Sequence, residues 1–342
     1  MTFLRNIWYV AAWSHELGSD RPIGRVIADH PVMFYRKADG AVVALEDRCP
    51  HRLAPLSRGR IRGDDIQCMY HGLTFGHDGR CKSIPGARLF PPNVDARAYP
   101  VVEKWDWIWV WLGELSAADT TPIPEAYGLT SDKWRAVAGA IDYEANYELI
   151  NDNLCDLSHL DFVHETTLGA ATCRSWADSA PRITPTENGI LFERWFQDHP
   201  LAPDDDRRVD TWSRVRYLLP GLFLMDTKFY PAGEAAASGF AAPKSEPFFF
   251  RVDQQAVTPI SKSRTRYLYA SGVVSAAATD DVLDRRMAVV NAAFAEDEAM
   301  IEAQQKIWEL TPPHHAKAFI PQDKGPAMFR RLLASRIAKE SV

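Results

Sequence analysis

Cys49-Pro50-His51 and Cys68-Met69-Tyr70-His71 put two thiols and two imidazoles within 23 residues. Such donors are soft enough to share one metal centre. Two centres suit them: a structural zinc site, and a 2Fe-2S cluster with thiolates on one iron and imidazoles on the other. Zinc fingers keep their histidines together as H-x(3–5)-H, usually on one helix, whereas here each histidine trails its own cysteine by two or three residues. That interleaving favours the cluster, because two facing loops can put both sulfurs on an inner iron and both imidazoles on an outer one. Ordinary buried cysteines and hydrogen-bonded histidines would require four coincidences.

A second set of donors lies downstream. His159 and His164 are five apart, and on an unbroken α-helix they point about 140° from each other. Joint ligation therefore requires the helix to end or bulge between them. Alone, the pair reads more simply as core histidines. From residue 280 onward Leu283, Met287, Val290, Phe294, Ile301 and Trp308 mark one buried helical stripe. Asp297 falls on that stripe, where a carboxylate is costly unless paired or bound to metal. An unseen arginine partner is the bland alternative. The neighbouring carboxylate, Glu296, lies off the stripe. His159, His164 and Asp297 together make a 2-His-1-carboxylate set, the arrangement that leaves adjacent positions open on ferrous iron.

Asp47-Arg48-Cys49-Pro50-His51-Arg52-Leu53-Ala54-Pro55-Leu56, Tyr70-His71-Gly72-Leu73 and the opening Arg5-Asn6-Ile7-Trp8-Tyr9-Val10-Ala11 resemble the Rieske non-heme iron oxygenases, in particular oxygenase subunits of the vanillate and dicamba O-demethylase and toluenesulfonate methyl-monooxygenase type. Their second motif, D-x-x-H-x4-H with a distant aspartate, is matched at Asp156, His159, His164 and Asp297. The resemblance runs nearly end to end. It implies an α+β chain: an N-terminal all-β Rieske domain over 1–118, and a catalytic domain over 119–342 whose antiparallel sheet wraps a long helix in a helix grip. It implies a 2Fe-2S cluster on Cys49, His51, Cys68 and His71, and a mononuclear Fe(II) on His159, His164 and Asp297. Asn153 corresponds to an asparagine close to that iron. In a homotrimer, Asp156 would accept hydrogen bonds from the partner subunit's His71 and from its own His159, a role that suits metal-bound imidazoles with a free N–H.

The activity implied is that of a terminal oxygenase hydroxylating a methyl or methoxy carbon of an aromatic compound with O2, which amounts to O-demethylation for methoxy substrates. A ring cis-dihydroxylating dioxygenase would share every ligand. A Rieske electron-transfer protein would explain residues 49–71 but not the downstream set. The chain shows neither G-x-G-x-x-G after a strand nor a plant-type C-x4-C-x2-C set, so electrons from NAD(P)H are expected through a separate reductase, with or without a ferredoxin.

These donors need stiff supports. Val32–Arg36 and Ala41–Leu45 flank a turn ending in Gly40, and Leu73–Phe75 and Arg80–Lys82 flank one ending in Gly79, two hairpin signals. Trp105, Trp107, Trp109 and Trp111 recur at period two and are expected on one buried face of a strand. Residues 116–131, rich in Pro and Gly, read as a connection, and 231–242 as a mobile loop. Beyond the connection, 143–160 and 280–310 read as helices and 183–230 and 246–275 as strands. Phe223, Met225, Tyr217, Phe229, Tyr269 and Phe248-Phe249-Phe250 are candidates for a cavity wall or for plain core.

With 342 residues the chain can hold two full cores, and 46% hydrophobic with 25% charged residues is a soluble composition. A net charge of -6 argues against nucleic acid, and Arg285-Arg286 and Arg330-Arg331 read as solvated faces. No apolar run suggests a membrane span and no secretory signal is apparent, so a cytoplasmic protein is expected. Of five cysteines, Cys81, Cys155 and Cys173 are left as reduced packing residues.

Overall fold

The computed structural model of the chain describes residues 3–118, 121–169, 175–202, 205–312 and 314–340, so that Cys173 lies outside the described residues. Two compact units divide it: Met1–Glu125 with Thr258–Lys262, and Ala126–Val257 with Ser263–Val342.

The first unit is built on strands β1 (Trp8–Trp13), β2 (Ile23–Ile27), β3 (His30–Arg36), β4 (Val42–Glu46), β5 (Arg60–Arg62), β6 (Asp65–Gln67), β7 (Thr74–Phe75), β8 (Cys81–Ser83), β9 (Ala98–Tyr99), β10 (Val101–Lys104) and β11 (Trp107–Trp111). They form antiparallel sheets in the orders β1-β11-β10, β2-β3-β4-β9 and β5-β6-β7-β8. Both expected hairpins form. At the second, Gly79 is obligatory twice over: its φ is 81°, and a Cβ there would sit 2.0 Å from the Ala96 carbonyl oxygen. Met33 and Tyr35 on β3 and Val43 and Leu45 on β4 alternate inward onto one core with Leu56, Ile66, Phe75, Cys81 and the cysteines of both motifs.

The tryptophan strand departs from expectation. Lys104 pairs with Trp107, which leaves Trp105 and Asp106 as a two-residue turn with φ of 60° at each. Only Trp107, Trp109 and Trp111 share the strand face, and Ile108 and Val110 on the opposite face are equally buried.

The second unit carries β12 (Trp134–Tyr143), β13 (Arg182–Thr186), β14 (Gly189–Ala202), β15 (Asp205–Leu218), β16 (Leu222–Pro231), β17 (Phe249–Ser261) and β18 (Arg264–Val274). They make one antiparallel sheet in the order β12-β18-β17-β16-β15-β14-β13. Against β12 and β18 packs the helix Asp280–Leu310. Thr279 caps it by accepting from Val282 N, with Asp280 and Asp281 in the first turn where the helix dipole favours negative charge. Its buried stripe runs through Leu283, Met287, Val290, Phe294, Asp297 and Ile301 as expected but ends at Gln305, leaving Trp308 half-buried. Gln305 Oε1 accepts from Asn146 N at 2.9 Å, fixing the start of the next helix.

That helix, Tyr147–Cys155, is shorter than the expected 143–160. Asp156 is extended (φ -133°, ψ 102°) and caps a fresh 3-10 turn, Leu157–Asp161. Its carboxylate accepts from Ser158 N at 2.9 Å and Ser158 Oγ at 3.0 Å, a local bond that competes with helix continuation. Nor is 231–242 a plain loop. Glu234–Ala237 forms a helical turn held by Asp210 Oδ2, which accepts from Gly233 N and Ala235 N at 3.0 and 2.8 Å. Among the described residues no helix is long and apolar enough to cross a membrane.

Candidate metal centres

The two Cys-His segments fold into the same backbone loop. Cys49 N donates to Ala54 O and Leu53 N to Cys49 O, at 2.8 and 2.9 Å; Cys68 N donates to Leu73 O and Gly72 N to Cys68 O, at 2.8 and 3.0 Å. The equivalent fifth residues, Leu53 and Gly72, both take positive φ, 58° and 79°. Glycine is needed at the second, where a Cβ would meet Pro85 Cγ at 2.9 Å. Each loop thereby buries its thiol, Cys49 at 2% and Cys68 at 1% exposure, and leaves its imidazole exposed. The His51 and His71 rings stand 4.5 Å apart at 67°. Burial pushes the Cys49 thiol up to about 11, with the Cys68 thiol adding to it against the His51 backbone N–H. Metal binding releases the proton of a thiol held this way, because the thiolate is the ligand. Desolvation, then His51 and Arg52, lower His71, keeping its ring neutral and able to ligate. Two inner thiols and two outer imidazoles fit the split donor set of a Rieske cluster.

In the second unit His159, His164 and Asp297 bring their ligand atoms within 4.8 Å of one another. The turn Leu157–Asp161 ends between the two histidines, which turns their rings together, 5.3 Å apart. Each ring is held by its Nδ1 so that Nε2 faces the carboxylate. His159 Nδ1 donates to the Asp156 carbonyl at 2.6 Å, and its Nε2 is 3.7 Å from Asp297 Oδ1. His164 Nδ1 donates to Glu296 Oε2 at 2.8 Å and its Nε2 is 3.3 Å from Asp297 Oδ2. Burial lowers His159, with Asp297 opposing. At His164 burial acts the same way, but Asp297 and Glu296 together outweigh it and the ring is raised. Asn153 Nδ2 donates to Asp297 Oδ1 at 2.9 Å and lies 3.3 Å from His159 Nε2, so the expected asparagine sits at the set.

One placement differs from the sequence reading. Asp156 meets His159 through its backbone carbonyl, not its carboxylate, because Ser158 occupies the carboxylate. Glu296, one residue round the helix from Asp297, accepts from the far side of His164 and from Thr167 Oγ1 at 2.7 Å. A carboxylate behind a metal-bound histidine fixes its ring and tautomer.

The set opens onto a cavity of the second unit. Leu154, Leu157, Leu160, Val290 and Phe294 give it apolar walls, and Phe223, Met225 and Thr227 of β16 face it beside Arg251, Asp253 and Gln255 of β17. Of the expected wall residues, only Phe223 and Met225 serve. Tyr217 turns away to donate to Asn151 Oδ1 at 2.6 Å, Tyr269 donates to Asn291, and Phe229 packs edge-to-face against Phe249. Sequence reading missed the polar members. Their signal was Arg251-x-Asp253-x-Gln255, alternate residues on one strand face. Arg286, read as solvated, also lines the cavity and pairs with Asp253 at 2.8 Å.

A thiol-imidazole pair of loops in a small all-β unit, together with a largely buried two-histidine, one-carboxylate set beneath an antiparallel sheet gripping a long helix, defines a Rieske-type non-heme iron oxygenase. Residues 7–99 match the Rieske [2Fe-2S] domain, and residues 143–339 match the vanillate O-demethylase oxygenase C-terminal domain. The chain is 36% identical over 316 residues to the iron-sulfur subunit of the toluene-4-sulfonate monooxygenase system of Comamonas testosteroni, covering 91% of this chain and 90% of that one. It is 31% identical over 352 residues to the vanillate O-demethylase oxygenase subunit of Pseudomonas sp. (strain HR199 / DSM 7063), covering 99% and 96%. Crystallised dicamba monooxygenase bound to 3,6-dichlorosalicylic acid superposes with a TM-score of 0.87 at 27% identity, covering 100% of both chains. The chain belongs to the vanillate O-demethylase type of Rieske non-heme iron oxygenases. It is an oxidoreductase, the oxygenase component of a multi-component monooxygenase or O-demethylase, with a Rieske 2Fe-2S cluster and a non-heme iron as its cofactors.

Proposed function

We propose that this chain hydroxylates a methyl or methoxy carbon of a small aromatic compound, releasing formaldehyde when the substrate is a methyl ether. Aromatic specificity is what the names of its relatives carry, among them toluene-4-sulfonate, vanillate and dicamba. The observation that carries the reading is the convergence of half-buried His159 with buried His164 and Asp297 on a cavity with apolar walls.

His159, His164 and Asp297 would hold the mononuclear iron, and Cys49, Cys68, His51 and His71 the cluster. When bound, these groups supply one-electron transfer and O2 activation. The chain's own residues do the rest. Asn153 holds Asp297 Oδ1 and Glu296 holds the His164 ring, so the donor set is oriented before a metal arrives. Phe223, Met225, Val290 and Phe294 exclude water and press an aromatic ring toward the open side of the set. In a homotrimer the Asp156 carboxylate, with lone pairs remaining beyond its Ser158 bonds, would accept from the partner subunit's His71. A separate reductase, with or without a ferredoxin, would supply the electrons. The domain division is proposed near residues 118 and 119.

The test is metal and acid-labile sulfide content with a visible spectrum, followed by a screen of methylated and methoxylated aromatic acids with a chemical or enzymatic reductant. About three irons and two sulfides per chain, with hydroxymethyl product or formaldehyde, are expected. A colourless, sulfide-free protein sinks the cluster assignment, and a cis-dihydrodiol as the sole product sinks the monooxygenation.

A further inference from the structure

We infer that Arg251 and Arg286 form an anion-binding end of the oxidation cavity, and that the substrate is an aromatic acid whose carboxylate or sulfonate is held there while the methyl or methoxy carbon faces His159, His164 and Asp297. The inference rests on reading this cavity as the site of oxidation, and it names the class of substrate.

Both arginines line the cavity. Arg251 is half-buried, and among the described residues the neighbours of its guanidinium are ring faces, Phe229 at 5.2 Å and Phe249 at 5.7 Å. Among the described residues no carboxylate forms an ion pair with it. Asp253, two residues along the same strand face, accepts through one oxygen, Oδ1, from both Arg286 Nη2 at 2.8 Å and Ser271 Oγ, and its Oδ2 is buried without a hydrogen-bond partner among the described residues. Arg286 Nε is buried without a hydrogen-bond partner. At this end of the cavity, two guanidinium groups against one carboxylate leave one net positive charge. Burial, and then Arg286, push Arg251 down to about 10, so it remains a cation at neutral pH. A cation in such a place is costly unless an anion meets it, and the planar guanidinium fork suits two oxygens of one carboxylate or sulfonate.

Position along the elements separates this end from the metal set. Arg286 precedes Asp297 by eleven residues on one helix, about 16 Å along the axis. On β17, Arg251 pairs with Thr227, toward the end of β16 opposite Leu222, whereas the Gly221 end abuts Asn151 on the helix that supplies Asn153. Helix and strand therefore place the cations at the same end, away from the histidines. The ring lies between them, against Phe223, Met225, Val290 and Phe294.

The experiment is calorimetric binding to the metal-loaded protein of ring-positional series of methyl- and methoxybenzoates and methylbenzenesulfonates, each beside its neutral amide or sulfonamide. Anions should bind about 10- to 100-fold more tightly than their neutral partners. Arg251→Gln should erase most of that ratio, with Arg251→Lys restoring part of it, and kcat/KM should fall chiefly through KM. The carboxylate and sulfonate arms report which oxyanion fits better. Equal affinity for anions and amides throughout the series overturns the proposal without any variant, as does an unchanged ratio in Arg251→Gln. Selective anion binding with no oxidised product would instead sink the monooxygenation and leave the anchor standing.

Discussion

Glu296 Oε2 accepts from His164 Nδ1 at 2.8 Å, while the residue after it, Asp297, faces Nε2 of the same ring at 3.3 Å. Two adjacent carboxylates therefore grip one imidazole from opposite sides, the first orienting it and the second standing beside it as a potential ligand. Glu296→Ala should lower iron affinity about 10- to 100-fold without touching the cluster. Competition against a ferrous chelator measures this, and an unchanged affinity would remove Glu296 from the site.

Asp297→Ala should abolish the mononuclear iron and all turnover while the visible spectrum stays that of the wild type. Iron should fall from about three to about two per chain, since the cluster donors lie in the other unit. Retention of the third iron would show that another group is the carboxylate ligand.

Asp156→Asn should keep the turn at Leu157–Asp161, because an asparagine oxygen can still accept from Ser158 N. Both metals should stay bound, yet turnover should slow by about tenfold or more as the charged acceptor is lost. Single-turnover rates from pre-reduced protein are the readout, and a wild-type rate would take Asp156 out of the electron path.

In the first unit, Arg36 donates to both oxygens of Glu103 at 2.7 and 2.6 Å. That bond, against some desolvation, depresses the Glu103 carboxyl. A depressed acid contributes stability above its unfolded pKa, near about 4.3, and the contribution is lost as pH falls through the folded value. The pair is largely solvent-screened, so its effect is small. Thermal midpoints of wild type and Glu103→Gln should differ by about 1–3 °C at pH 7 and converge as pH falls through the folded value. A difference that grew on acidification would contradict the sign.

How far the sequence reached differs from element to element. Two apolar runs, Val32–Arg36 and Ala41–Leu45, joined by a turn ending in Gly40 need only local rules, and β3 and β4 follow them. The stripe that singled out Asp297 is equally local, because a helical face is written every three or four residues. Trp105 escaped because a turn register depends on which strand residues pair, here Lys104 with Trp107.

The sequence by itself determined the donor types, their spacing and the helix that carries the carboxylate. Tertiary structure decided what stands behind and across from them. Glu296 reaches His164 over a separation of 132 residues, and Arg286 meets Asp253 across 33. Neither pairing has a local pattern, since side chains on different elements meet only when sheet and helix pack. A basic doublet on a helix looks solvated until the fold turns one of its members inward.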